Sequence, residues 1–190
     1  MTHFKKYLLL LCILLTTPSH AKMPPAWIIV PNSSEIIFTA KQNSASLIGT
    51  FKQFTGEIYV DPTDYKKSSI NIVVDMNSLF SSYKELVTTL NSSDWFDVST
   101  YPKAIFKSTH FNKLGNKAYQ ADGILTIRGK SVPVTLIFTA QEKPQDHAII
   151  EGDTVISRLD FGIGQEDSAS TDEIRNEVKI HFRVVAFRKK

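Results

Sequence analysis

The stretch Tyr119 to Phe138, YQADGILTIRGKSVPVTLIF, constrains the fold more than any other part of the chain. Its first arm sets Tyr119, Ala121, Gly123, Leu125 and Ile127 in one phase and Gln120, Asp122, Thr126 and Arg128 in the other, broken only by Ile124. Side chains alternate between the two faces of a strand, so this arm has one dry and one wetter side. Arg128-Gly129-Lys130 supplies the reversal, because Gly129 takes a positive φ at little cost. The second arm resumes in phase with Val132, Val134, Leu136 and Phe138. Pro133 falls in the opposite set and has no N–H, which predicts an edge, a bulge or a gap in the ladder. Two apolar faces of this length need a partner surface.

Other segments supply one. Ser34 to Ala40, Leu47 to Val60, Ser69 to Asp75, Ala104 to Phe111, Ala148 to Ser157 and Val178 to Phe187 all read as strands. In the last, Val178, Ile180, Phe182, Val184 and Ala186 share a face. The apolar phase slips between Phe51 and Phe54, predicting a bulge near Lys52-Gln53. One helix is expected, Tyr83 to Leu90, capped by Ser81 or Ser82, with Glu85 in its first turn and Leu86 and Leu90 on one face. Asp94 and Asp97 read as cap and turn residues. Lys22 to Pro31 reads as a lead-in, with Pro24-Pro25 against helix and Trp27 available to plug a core. The fold class that follows is all-β: an extended eight-stranded antiparallel barrel with one short helix. Closure is favoured over an open sheet because long strands would leave exposed edges.

The start of the chain reads as an address. Lys5 and Lys6 precede the apolar run Tyr7 to Leu15, and Ser19-His20-Ala21 ends in small residues, the pattern of a cleavable signal peptide. The run falls short of the roughly 20 apolar residues that span a bilayer. Cys12 follows Leu11 inside the apolar run, which argues against a lipidated cysteine. The expected organisation is a signal peptide over residues 1–21 and a single lipid-binding barrel domain over 22–190. The mature chain then has no cysteine, which suits a core-stabilised periplasmic protein. Losing Lys5 and Lys6 leaves 20 basic against 19 acidic residues, a balance that gives no reason to expect nucleic acid or an anionic membrane surface as a partner.

Chemistry-bearing motifs are sparse. His110, His147 and His181 lack metal-ligand spacing, no Gly-x-Ser-x-Gly elbow occurs, and Gly162-Ile163-Gly164 lacks the third glycine of a dinucleotide loop. No catalytic residue, metal ligand or cofactor is assigned. Arg158 and Asp160 are two apart and point the same way on an extended segment. They form an ion pair closing one barrel end, or Arg158 receives an anionic or polar ligand head. Arg128, at a hairpin tip, reads as solvated. The many aromatic residues, Phe38, Phe51, Phe54, Phe106, Phe138 and Phe182 among them, fit a packed core or a hollow one.

Six motifs in order carry a resemblance. They are Phe51-x-x-Phe54-x-Gly56-x-Ile58, Ser93 to Pro102 with Trp95-Phe96-Asp97, Phe106-x-Ser108, Gly123-x-Leu125-Thr126-Ile127-Arg128-Gly129, Pro133-Val134-x-Leu136, and Arg158-x-Asp160-Phe161-Gly162-x-Gly164. Together, from about Trp27 to Phe187, the chain resembles the bacterial YceI-like family of polyisoprenoid-binding proteins. Gly162 to Gln165 and Trp95 resemble the branch associated with membrane cytochrome b-type proteins. The resemblance implies a lipocalin-like barrel in the periplasm, no enzyme, holding an isoprenoid, quinone-like or fatty chain. A membrane cytochrome partner comes with the branch, and Val185 and Phe187 hint at a homodimer. Many members carry His-x-Gly where this chain has Lys41-Gln42-Asn43-Ser44, so that histidine's head-group contact is not carried over. The tail is expected along Phe51, Phe106, Leu125, Ile127, Leu136, Phe138, Ile180 and Phe182. Leu86, Leu90, Trp95 and Phe96 would cover the mouth or one wall. The alternatives are a filled-barrel interaction module and, with no nucleophile found, a lipid or ester hydrolase.

Overall fold

The computed structural model describes residues 26–61, 63–165 and 170–189. The expected signal peptide lies outside the described residues, as does the start of the lead-in. Eleven strand segments are present among them: β1 (Ala26–Ile29), β2 (Glu35–Gln42), β3 (Ala45–Phe51), β4 (Phe54–Tyr59), β5 (Ser69–Asp75), β6 (Leu79–Phe80), β7 (Lys103–Gly115), β8 (Ala118–Ile127), β9 (Lys130–Lys143), β10 (His147–Ser157) and β11 (Glu177–Arg188). The helix α1 (Lys84–Asn91) connects β6 to β7.

The first six segments are three strands bent in the middle. A 3-10 turn at Pro31–Ser33 separates β1 from β2, Lys52-Gln53 separates β3 from β4, and a turn at Met76–Ser78 separates β5 from β6. Pairing shows their unity, since β2 pairs with β3 while β1 pairs with β4, and β3 pairs with β6 while β4 pairs with β5. Two bends are laced together: Lys52 N–H donates to Ser78 O, Gln53 N–H to Ser78 Oγ, and Asp75 N–H to Gln53 O. The ring closes where β11 pairs with both β1 and β2, Trp27 opposite Arg188 and Phe38 opposite Ile180. The result is a closed eight-stranded antiparallel barrel. The expected bulge at Lys52-Gln53 is one of the bends.

The lead-in is a correction. Ala26–Ile29 is a strand that closes the ring, and Trp27 and Ile29 are buried. Burial of these alternate side chains overrides the irregular reading that Pro24-Pro25 suggested.

In the Tyr119–Phe138 hairpin the register runs from Tyr119↔Phe138 to Ile127↔Lys130, keeping the apolar phases of both arms on one face. The loop has two residues, Arg128 at φ 50° and Gly129 at φ 69°, a positive-φ pair whose twist suits the flanking strands. Pro133 lies opposite Ile124, where β9 has no partner on its other side; the β9–β10 ladder ends at Ile137↔Asp153. That is the gap its missing donor requires, and the Thr154 hydroxyl bridges it to Thr135 O at 3.0 Å.

Strand direction fixes two ends. The helix end carries the Asn43-Ser44 turn, α1, the Arg128-Gly129 turn and the stretches 158–165 and 170–176. The opposite end carries the 63–68 stretch, the turns at 116–117 and 144–146, the start of β1 and the end of β11. Leu86 and Leu90 of α1 are buried against the barrel mouth, as their spacing predicts. The cap differs from expectation. Tyr83 takes the N-cap position without a side-chain bond to the helix, and Ser81 Oγ instead accepts the Tyr83 N–H at 3.3 Å while donating to Ile48 O at 2.9 Å.

Candidate functional site

Among the described residues, two cavities lie in line along the barrel interior. One, of about 240 Å³, runs from the middle to the end opposite the helix; the other, of about 320 Å³, lies under α1. Each is near the lower end of the range for small-molecule sites, about 300–1,000 Å³. Ile127 and Ile180 border both and form the waist between them.

Two glycines show why side chains leave this space open. A Cβ on Gly123 would come within 2.6 Å of the Phe106 ring, and one on Gly152 within 2.6 Å of the Phe182 ring. Without those carbons the rings lie against the wall instead of projecting across it. The aromatics then pack sideways into two groups. Phe38, Phe51 and Phe96 meet at centroid distances of 6.0–6.3 Å under the helix. Tyr65, Phe111, Tyr119, Phe138 and Phe182 form a chain at 5.6–6.3 Å in the other half. Most of these pairs are tilted or edge-on and two are stacked, and the tilted and edge-on arrangement is favourable for aromatic quadrupoles.

The expected site residues divide between the cavities. Phe51, Leu86, Leu90, Trp95, Phe96 and Arg158 line the helix-end cavity. Phe106, Leu125, Leu136, Phe138 and Phe182 line the other, and Ile127 and Ile180 are the waist. Sequence reasoning missed Trp27, Tyr65, Phe111, Tyr119 and the inward row Ile70, Ile72 and Val74 of β5. The β5 row was there to be read in SINIVVD; Tyr65 sits in a short turn with no periodic signal.

The polar groups have defined positions. Burial, followed by the neighbouring Tyr65 hydroxyl and the Glu142 charge, pushes the Tyr119 phenol up to about 12. Tyr65, Tyr119 and Glu142 thus place the main polar atoms of the larger aromatic half at its outer end. Arg158 departs from the expected ion pair with Asp160. Its segment is a 3-10 turn, Arg158–Phe161, rather than extended chain, and Asp160 is exposed. Among the described residues no ion pair joins the two. The Arg158 side chain is buried and donates to Ile163 O and Gly164 O at 2.8 Å, Ile174 O at 3.0 Å, and Arg175 O and Ser170 O at 3.3 Å. Its guanidinium lies 6.0 Å from the Trp95 ring, and desolvation lowers its pKa while the Asp94 charge opposes that shift. Its fork thus ties the chain at Ile163 and Gly164 to that at Ser170, Ile174 and Arg175 at this end of the barrel.

Arg128 is likewise not merely solvated. It donates to Asp94 O, Gly162 O and Ser93 O, joining the hairpin tip to the two segments that roof the helix end. Asp97 does act as a turn residue, at φ 47° with its carbonyl accepting from Thr100 and Tyr101. His110 is exposed, and His181 meets Asp153 at 3.0 Å on the outer wall. Among the described residues no group of three or more His, Cys, Asp or Glu could hold a metal ion. No helix among them is long and apolar enough to cross a membrane.

The fold and interior define a small closed β-barrel with an apolar central space. A YceI-like domain model matches residues 27–186, and the chain belongs to that family. It is similar to a "UPF0312 protein" of Vibrio cholerae serotype O1, 34% identical over 120 residues, which is 60% of this chain and 64% of that one. A "UPF0312 protein" of Pseudomonas savastanoi pv. phaseolicola is 32% identical over 120 residues, 60% of this chain and 62% of that one. The chain thus spans somewhat under two thirds of the curated relatives it matches. Among solved structures it resembles Burkholderia cenocepacia BcnA, with a TM-score of 0.79 and 29% identity over 83% of this chain and 98% of that one. A polyisoprenoid binding domain from Saccharophagus degradans, implicated in plant cell wall breakdown, shares the fold, with a TM-score of 0.69 and 14% identity over 86% of this chain and 98% of that one.

Proposed function

We propose that this protein is a periplasmic carrier or scavenger that holds one long apolar lipid, an isoprenoid, quinone-like or fatty chain, along the barrel interior. The observation that carries the reading is the pair of apolar cavities meeting at Ile127 and Ile180. A compact apolar ligand would fill one chamber; a flexible chain fills both. Burial contributes about 0.8 kcal/mol per methylene, so each five-carbon unit offsets about 4 kcal/mol of the roughly 4–15 kcal/mol cost of association. Affinity then rests on the tail, and chain length and girth are discriminated better than head-group chemistry. Membership of the YceI-like family supports an apolar ligand. Export to the periplasm rests on residues 1–21, and a membrane cytochrome partner rests on Trp95 and Gly162 to Gln165 alone.

Titration of delipidated protein with prenols of increasing length tests the reading. Affinity should climb with each added unit and level off once both cavities are full. No binding at any length would support the filled-barrel module instead. A hydrolase would announce itself as turnover of lipid esters abolished by a single Ser or His substitution.

A further inference from the structure

The helix-end cavity has a lip. Its lining includes the exposed residues Gln42, Tyr83, Glu85 and Thr89, so this is where the space meets solvent, between the β2–β3 tip and α1. Beside that lip the outer wall is apolar. Strand alternation turns Leu47 and Leu79 inward and Ile48 and Phe80 outward, and Phe80 pairs opposite Thr50, two residues from Ile48. Ile48, Phe80 and Tyr83 are 52%, 57% and 58% exposed, a concentration of large apolar side chains that soluble surfaces seldom display without a use.

Cations border the same patch. Lys52 Nζ lies 5.6 Å from the centre of the Phe80 ring, Lys41 reaches across to Ser46 Oγ on β3 at 2.7 Å, and Lys84 opens α1 directly after Tyr83. Glu85 stands at the lip, and the neighbouring 170–175 stretch carries Asp172 and Glu173 against Arg175. An apolar patch with a lysine border is the surface chemistry that docks on an anionic bilayer: the rings enter the headgroup boundary and the ammonium groups meet phosphates.

We infer that Ile48, Phe80 and Tyr83, bordered by Lys41, Lys52 and Lys84, form a docking face for an anionic lipid surface, and that the lipid passes between bilayer and cavity through the adjoining lip. The second clause rests on the lipid-carrier reading; the first does not.

The test is co-sedimentation of the purified protein with phosphatidylcholine vesicles and with vesicles containing phosphatidylglycerol. Wild type should partition onto the anionic vesicles. The double variant Ile48→Ser, Phe80→Ser should partition at least tenfold less. Lys52→Glu with Lys84→Glu should lose the preference for anionic vesicles. Leu114→Ser, which removes a side chain of similar exposure at the opposite end of the barrel, should change partition by less than twofold. Tenfold or greater loss in Leu114→Ser, or no partition of wild type, overturns the docking face. Uptake of a prenol from detergent micelles separates the two ideas. All four proteins should take it up equally, while transfer from vesicles slows only in the two docking variants. Failure to take prenol from micelles refutes the carrier reading and leaves vesicle partition to judge the docking face.

Discussion

Leu136→Trp is the sharpest perturbation of the interior. Leu136 lines the cavity between the waist and the end opposite the helix, is only partly buried, and borders about 240 Å³ of open space. The larger indole therefore enters a void, and the usual overpacking penalty of about 1–3 kcal/mol should be mostly absent. In that void it displaces roughly one five-carbon unit of tail. At about 0.8 kcal/mol per methylene this removes about 4 kcal/mol of binding, close to three decades in Kd. Partial retreat of the tail into the helix-end cavity reduces the loss, so the expected weakening for a long prenol is about 100-fold or more. A prenol short enough for the helix-end cavity should lose less than about threefold. Competition binding with a long and a short prenol reads both values, and a thermal melt confirms the fold. Long-chain affinity within about threefold of wild type in a stable variant would refute the reasoning.

Other changes probe other parts of the structure. Phe138→Asp puts an unpaired charge at the centre of the aromatic chain and should abolish uptake and destabilise the barrel by on the order of 4 kcal/mol, read by urea denaturation. Arg158→Met leaves three close carbonyl acceptors, on Ile163, Gly164 and Ile174, without their donor; at about 1–3 kcal/mol for each buried group, the loss should reach at least about 3 kcal/mol. A loss below about 1 kcal/mol would contradict the bracing role. Tyr119 holds its proton more tightly folded than unfolded, so its contribution to stability is complete below the ordinary value of 10.0 and is lost as pH rises through about 12. An ultraviolet titration should show a late tyrosine component that disappears in Tyr119→Phe.

The barrel was legible in the sequence wherever one face was dry and the other wet. The Tyr119–Phe138 hairpin and the Val178–Phe187 row are cases where period two alone gave strand and face. The bends at Pro31–Ser33 and Met76–Ser78 were not legible, because each completes its hydrogen bonds on a distant segment, the first on Val185 of β11 and the second on Lys52-Gln53. For the same reason Ala26–Ile29 read as a lead-in: four residues become a strand only when β4 and β11 stand on either side. The site followed the same division. Residues on regular strands were placed by their phase, while Tyr65 reached the cavity from a turn. Arg158 misled because it donates to the carbonyls of Ile163, Ile174 and Arg175, which spacing to Asp160 could not reveal.

The central claim is that a long apolar chain occupies the space on both sides of the waist. Organic extraction of the purified protein followed by mass spectrometry tests it most directly. The account predicts close to one molecule of a long-chain isoprenoid or fatty lipid per barrel. A clean extract, with no lipid acquired after incubation with prenyl and fatty chains, would contradict it.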